Sequence, residues 1–275
     1  MLKRTILLAF ITFIISGCQV KTEDKPGINL KPANNEVVSI HGSMQNIERL
    51  DLFVENVKND KQDKIRLTQY TIEGDPIFQD LSYDGSKISV KYDSTEDKFG
   101  GGEVRTDVCK SIQKKESETE TKYILDECPN FSDLLTISHD VDKQDNFAFD
   151  LKYGVGKKNE INTKDQELIK DLQNGEMVAV KDFQFSKAEM NKIYKLMIFS
   201  NYLEEKKLST KCNMKPYVSY ELKVWINDDS RHFEWSECDK SKDGKEMSKL
   251  VQNILAVLKN NATYQALPKD KGSNE

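Results

Sequence analysis

The chain is poor in the residues on which most hydrolases and metalloenzymes depend. Among its 275 residues there are three histidines, His41, His139 and His232, in three distant segments. No H-E-x-x-H helix, G-x-S-x-G nucleophile elbow or phosphate-cradling glycine loop is present, so zinc-peptidase, α/β-hydrolase and P-loop chemistry lack a sequence basis. No C-x-x-C occurs, which removes the thioredoxin-like redox motif and the zinc ribbon. The 41 basic and 46 acidic residues are mixed along the chain. No basic stripe gathers that would neutralise a run of phosphates, so nucleic acid is not an expected partner. Beyond residue 18 there is no second long apolar run, and nothing else is expected to cross a membrane. No cofactor and no metal is implied.

What is present begins at the N-terminus. Lys3 and Arg4 precede a nearly unbroken apolar run, Thr5 to Ile15, and Ile15-Ser16-Gly17-Cys18 then matches a lipobox. A run of about 11 residues is too short to span a bilayer as a helix, which takes ~20, so residues 1–17 read as a removable export signal. Cys18 is the expected lipid acceptor. Its acyl chains would hold the protein at the membrane, since each buried methylene contributes about 0.8 kcal/mol and two or more chains anchor stably. Removing Lys3 and Arg4 takes away two positive charges and moves the formal charge from −5 to −7. Residues 18–35, with Pro26, Gly27 and Pro32, read as a polar tether.

The fold expected is α+β: two small domains, 36–138 and 139–268, each a mostly antiparallel sheet with helix cover, followed by a loose tail, 269–275. In the first, Ile47, Leu50, Phe53, Val54 and Val57 recur at spacings of three and four and predict an amphipathic helix capped by Asn46. Ile65 to Ile72, Ile77 to Tyr83 and Lys87 to Tyr92 predict strands, the last two joined by a two-residue hairpin turn at Asp84-Gly85. Asp93 to Glu103 reads as a mobile loop. Val104 to Ile112 and Thr121 to Leu125 add strands, giving one helix against a meander of four or five.

In the second domain Phe147, Phe149, Leu151 and Tyr153 alternate as a strand, and Met177 to Phe185 reads as another. Asn159 to Gly175 stays ambiguous. Ser186 with Glu189 forms a capping box before a helix carrying Met190, Ile193, Tyr194, Met197 and Ile198. Tyr220 to Ile226 and Arg231 to Trp235 complete a four-stranded sheet. A last helix, Lys245 to Lys259, is followed by Tyr264 and Leu267-Pro268 folding back.

Four cysteines besides Cys18 fall into two local groups, and in an oxidising exterior they predict the disulfides Cys109–Cys128 and Cys212–Cys238. Each closed loop would contribute about 3 kcal/mol in the chain-entropy model.

Tyr70-Thr71-Ile72-Glu73-Gly74-Asp75-Pro76-Ile77-Phe78, followed by Tyr83-Asp84-Gly85, resembles the signature of an uncharacterised domain family in lipoproteins of Gram-positive bacilli. Ile40-His41-Gly42, the helix Asn46 to Val57 and Lys98-Phe99-Gly100-Gly101 fit the same pattern, so the resemblance covers residues 36–130. It implies an extracytoplasmic lipoprotein and brings no activity to transfer. The second half is similar in layout to C-terminal domains of other small bacillar lipoproteins, through Trp225, Trp235 and the ending Tyr264 to Pro268.

Several groups are candidates for chemistry. Glu73 and Asp75 on one tight turn would suit a cation or a ligand ammonium group, or Asp75 serves the turn backbone. Asp93 to Asp97 and Asp239-x-Ser241-x-Asp243-Gly244 have calcium-loop character. The first lacks the glycine at position six and the glutamate at twelve, and the second carries Leu250 at twelve, so Asp243 reads better as a helix cap. His41 beside Ser43 is a base next to a hydroxyl by adjacency alone. Trp225 and Trp235, with Tyr217 and Tyr220, would make an aromatic platform for a sugar or peptide. The expectation is a non-catalytic envelope lipoprotein with a protein or cell-wall partner; a wall-directed hydrolase or its inhibitor, and a solute-binding lipoprotein, are the alternatives. In the unfolded but unreduced protein the four cysteines other than Cys18 are expected to be silent to a thiol reagent, and to titrate as four thiols after reduction. Four reactive thiols before reduction would overturn the pairing.

Overall fold

A computed structural model of the protein describes residues 33–40 and 43–271. The elements β1 (Glu36–Ile40) and β2 (Ser43–Gln45) lead into α1 (Ile47–Lys58). A meander follows: β3 (Asp63–Tyr70), β4 (Pro76–Tyr83), β5 (Ile88–Asp93) and β6 (Val104–Cys109). Next come β7 (Ser111–Glu116), β8 (Glu120–Asp126) and β9 (Asp133–Ser138). After a 3₁₀ turn at Val141–Lys143 the chain forms β10 (Phe147–Val155), β11 (Asn159–Asn162), β12 (Glu167–Asp171) and β13 (Met177–Lys181). It ends with α2 (Lys187–Phe199), β14 (Val218–Ile226), β15 (Asp229–Ser236), α3 (Lys242–Asn260) and α4 (Ala262–Gln265).

The fold is mixed α+β with three sheets. A six-stranded sheet runs β2-β1-β3-β4-β5-β6, a three-stranded sheet β7-β8-β9, and a second six-stranded sheet β13-β12-β11-β10-β14-β15. Pairing is antiparallel apart from β1 with β3, which run parallel from Glu36 opposite Arg66 to Ile40 opposite Tyr70. The sheets form because their strands alternate: Ile65 and Leu67, Leu81 and Tyr83, and Ile88 and Val90 point to one side and bury there. On that side α1 lays down Ile47, Leu50, Phe53 and Val57. The larger second sheet buries Phe149, Leu151, Leu222, Val224, Phe233 and Trp235. Facing them, α3 contributes Met247, Leu250, Val251, Ile254 and Leu258. The buried apolar side chains of all three sheets and of α1, α2 and α3 form one continuous cluster.

Several local expectations change in the structure. Asn46 precedes α1 but does not cap it through its side chain. Its φ is 58°, and its amide donates to the Glu36 carbonyl instead (2.7 Å), tying the helix start to β1. The Asp84-Gly85 turn is a four-residue connection, since Tyr83 pairs with Ile88. Of the two central residues only Gly85 takes a positive φ (98°), while the Asp84 carboxylate accepts from the Ser86 and Lys87 amides. The stretch Val104 to Ile112 breaks at Lys110 into β6 and β7, which belong to different sheets. The ambiguous stretch supplies β11 and β12, so the expected four-stranded sheet has six.

The capping box holds: the Ser186 hydroxyl accepts from the Glu189 amide and Glu189 accepts from the Ser186 amide. At α3 the cap is Ser241, not Asp243, because Ser241 is placed to accept from Gly244 N (3.0 Å). Tyr264 and Leu267 pack against the core as expected. The start of the tail is tied, with Lys271 N donating to the Leu172 carbonyl (2.9 Å).

Both disulfides are formed. Cys109–Cys128 joins the end of β6 to the segment after β8, linking the first two sheets. Cys212–Cys238 fastens the irregular segment before β14 to the chain leaving β15. Among the described residues no helix is long and apolar enough to cross a membrane.

Leu50 is fully buried under the first sheet, so Leu50→Ala is expected to cost about 2–5 kcal/mol in denaturant unfolding. Both tryptophans lie beyond residue 200. Because the core is continuous, tryptophan fluorescence should report the same fall in midpoint as circular dichroism; an unshifted fluorescence transition would show the two halves unfolding independently.

Candidate functional site

The signature turn between β3 and β4 is built around Asp75. Thr71 N donates to the Asp75 carbonyl and Gly74 N to the Thr71 carbonyl (both 2.9 Å), with Gly74 at φ 92°, a conformation costly for any side-chain-bearing residue. The Asp75 carboxylate is buried against the loop between β5 and β6. It accepts from Lys98 twice, once from the backbone amide and once from the ammonium group, each at 3.1 Å. The Lys98 side-chain bond, then its amide, hold the Asp75 carboxyl below the usual carboxylate range. Asp75 is thus a clamp between two loops, and its cation partner is a lysine of the same chain. Glu73 stands exposed on the same turn and does not join it.

The loop expected to be mobile is ordered by its own side chains. Asp93 accepts from Thr95, and Asp97 caps the amides of Phe99 and Gly100 (3.0 Å each). The second calcium-like run is engaged in the same manner. Asp239 accepts from Ser209 N (2.8 Å) and Ser241 N (3.0 Å), and Asp243 from Lys207 N (2.7 Å). These carboxylates staple irregular backbone, which needs partners once it is drawn away from water. Among the described residues no cluster of three or more His, Cys, Asp or Glu is arranged to hold a metal ion.

The two tryptophans do not meet. On β14, Tyr220, Leu222, Val224 and Ile226 face the helices, so Trp225 points to the opposite side, where Lys164 lies over its ring at 4.7 Å. Trp235 is fully buried under α3, stacked on Tyr220 at 5.0 Å and donating to Ser248 (3.0 Å). The proposed platform therefore splits into a core tryptophan and a surface one. Cys18, His41 and Gly42 lie outside the described residues. His139 is buried beside Thr121, and burial, then the charge of Lys195, hold it below the ordinary histidine range, so it stays neutral.

Two features carry no local sequence signal. A cleft of about 610 Å³ opens between β1–β2, β9, α2 and the β14–β15 turn. Met44, Ile137, Tyr194 and Tyr202 floor it, and Asp228 and Asp229 stand on its rim. The Ser138 hydroxyl beside it is buried without a hydrogen-bond partner among the described residues. These side chains come from four segments far apart in sequence, and no spacing rule gathers them. The second feature is Asp150, on the helix-free face of β10. It is only 7% exposed, and its Oδ1 has no hydrogen-bond partner among the described residues. Burial, reinforced by Glu160, pushes its carboxyl up to about 6 against the pull of Lys152 and Lys223.

Residues 34–124 match the model of a family described as a domain of unknown function (DUF4362). The matched segment spans β1 through β7 and most of β8, and it contains the Asp75–Lys98 clamp. No curated protein matches the chain.

Asp150 makes a testable statement about pH. Its carboxyl titrates near 6 in the folded chain and near 4 when unfolded, so the fold favours the protonated form, and stability is lost as pH rises from about 4 through 6. Asp150→Asn should therefore gain on the order of 2–3 kcal/mol over the native chain between pH 4 and pH 8. A difference in denaturant midpoint that stays flat over that range would rule this out.

Proposed function

We propose that the protein is a lipid-anchored binding protein on the extracytoplasmic face of a Gram-positive cell membrane, held by acyl chains on Cys18 and engaging a protein or wall component. The observation that carries the address is the pairing of all four remaining cysteines into two local disulfides, a chemistry that persists outside the reducing cytosol. It agrees with the lipobox ending at Cys18 and with the resemblance to bacillar lipoproteins. Binding rather than catalysis is supported by the employment of the candidate groups. Asp75, Asp97, Asp239 and Asp243 hold backbone or an internal lysine, and His139 is a buried neutral ring. Such groups are set to shape loops, not to move protons on a substrate.

A second reading, capture of a small solute, is favoured by the cleft beneath the β14–β15 turn. Its aromatic floor and acidic rim would suit an amine-bearing molecule of modest size.

Two measurements bear on these readings. Cys18→Ala in the full chain should leave unprocessed precursor or release the protein from the membrane fraction; unchanged processing and membrane recovery would sink the anchor. Thermal unfolding of the full chain against metals, wall fragments and small amines separates the two kinds of ligand. A ligand at 100 times its dissociation constant stabilises by about 2.7 kcal/mol, a rise of roughly 5–10 °C in a chain of this size. A shift with small amines that is abolished by Asp228→Asn would favour the solute reading, and its absence would remove that reading.

A further inference from the structure

The two most exposed large apolar side chains of the described chain are Ile72, at 86%, and Phe99, at 77%. Single apolar residues on a surface need no explanation. These two are not independent. Ile72 lies on the turn that begins after Tyr70, and Phe99 directly follows Lys98. The Asp75–Lys98 bonds fasten the two turns together at the same end of the first sheet, where β3 passes into β4 and β5 into β6. A buried carboxylate holding both the amide and the ammonium group of the partner loop is a device for position. Asp97 adds to it by capping Phe99 N and Gly100 N, so Phe99 is presented from a fixed turn. Neither side chain is used by the core of its own fold.

The surroundings set the sign of the partner. Lys98 is matched by Asp75, and Arg105 stands beside Glu103 at 3.6 Å. Glu73 and Glu96 are exposed and carry no ion pair among the described residues. The surface around the two apolar tips is thus net acidic, which repels an anionic lipid surface and favours a cationic one. Orientation points the same way. Strand β1 starts opposite Arg66 and runs about 13 Å to Tyr70, at ~3.3 Å per residue, so it heads toward the end of the sheet that carries the tips.

We propose that Ile72 and Phe99, with Glu73 and Glu96 around them, form a docking surface for a basic segment of another protein that carries apolar side chains between its lysines or arginines. This rests on the binding reading above and names its surface. The apolar anchors supply the contact, and the acidic rim supplies attraction that salt weakens, since charges are screened beyond about 10 Å at 0.1 M.

The test uses the full chain on its native cells, with a photo-crosslinking phenylalanine analogue at position 99, and for comparison at position 228 on the cleft rim and at the exposed Met214. The joined peptides are sequenced, and the segment captured at position 99 is synthesised and titrated onto the purified full chain. A basic, apolar protein segment is expected at position 99. Its affinity should fall at least tenfold in the Ile72→Ser, Phe99→Ser double variant, with the thermal midpoint unchanged, and should fall again as salt is raised. Adducts at 99 to lipid alone, or to a second copy of this chain, would overturn the proposal, as would an affinity indifferent to the double variant. An adduct at 228 with none at 99 would overturn this surface while leaving the binding reading in place. No adduct at any of the three positions would count against both.

Discussion

The structure depends on helix α2 being buried from more than one side. Ile193 and Met197 are fully enclosed, Tyr194 and Ile198 nearly so, and even Asn191 is cut off from solvent. A surface helix has one apolar stripe, whereas a helix sandwiched between layers has to satisfy its polar groups against protein. Here it does so with the segments around it. The side-chain amide oxygen of Asn191 accepts from Val141 N (2.9 Å), and the Lys195 ammonium pairs with Glu116 of β7 at 2.8 Å. Just beyond the helix, the Ser43 hydroxyl of β2 donates to the Asn201 side chain at 2.6 Å. Those contacts connect the third sheet to the first two, and they make the apolar core continuous where the sheets themselves are separate.

A chain in which about a third of the residues are charged has few apolar side chains for its connections, and it orders them by other means. Carboxylates accept from backbone amides at Asp84, Asp97 and Asp239, and two disulfides pin the segments that have the least regular structure. This explains why acidic motifs that look like ligand sites in the sequence turn out to be structural. An aspartate two or three residues before a free amide is the same local pattern whether it caps a turn or faces a cation. Only the partner's identity tells the two apart, and the partner is set by tertiary contact.

The same distinction governs what the sequence revealed. The stripe from Ile47 to Val57, the Ser186–Glu189 box, the alternation from Phe147 to Tyr153 and the cysteine pairs all act over a few residues or one loop, and each was legible. The breaks were not. Nothing in Val104 to Ile112 marks Lys110 as the point where the chain leaves one sheet for another, because the division is set by where the apolar faces pack. The strands β11 and β12 are four and five residues of polar-rich sequence whose pairing is visible only beside β10. For the candidate site, the pattern holds both the turn around Asp75 and the Lys98 run, but not the bond that joins them across 23 residues. Trp225 and Trp235 do lie on neighbouring, paired antiparallel strands, yet they project from opposite faces.

The two large sheets each leave one face without helix cover, and those faces are finished by paired charges. Across the first runs a ladder of alternating charge, Glu36 opposite Arg66, Arg66 opposite Asp80 and Asp80 opposite Lys91, with Arg66 gripping Asp80 through two bonds of 2.6 and 2.8 Å. Across the third sheet Glu160 faces Lys152, Lys152 faces Glu221, and Glu221 faces Glu234. That like-charge pair is bridged by Lys157, which bonds both carboxylates. Cross-strand pairs of opposite sign contribute little each, but they keep a broad flat surface hydrated and matched within itself. A face already neutralised strand by strand offers an incoming partner little unmet charge. The side chains left unmatched stand at the ends of the sheets, where loops hold residues that the ladders and the core do not use.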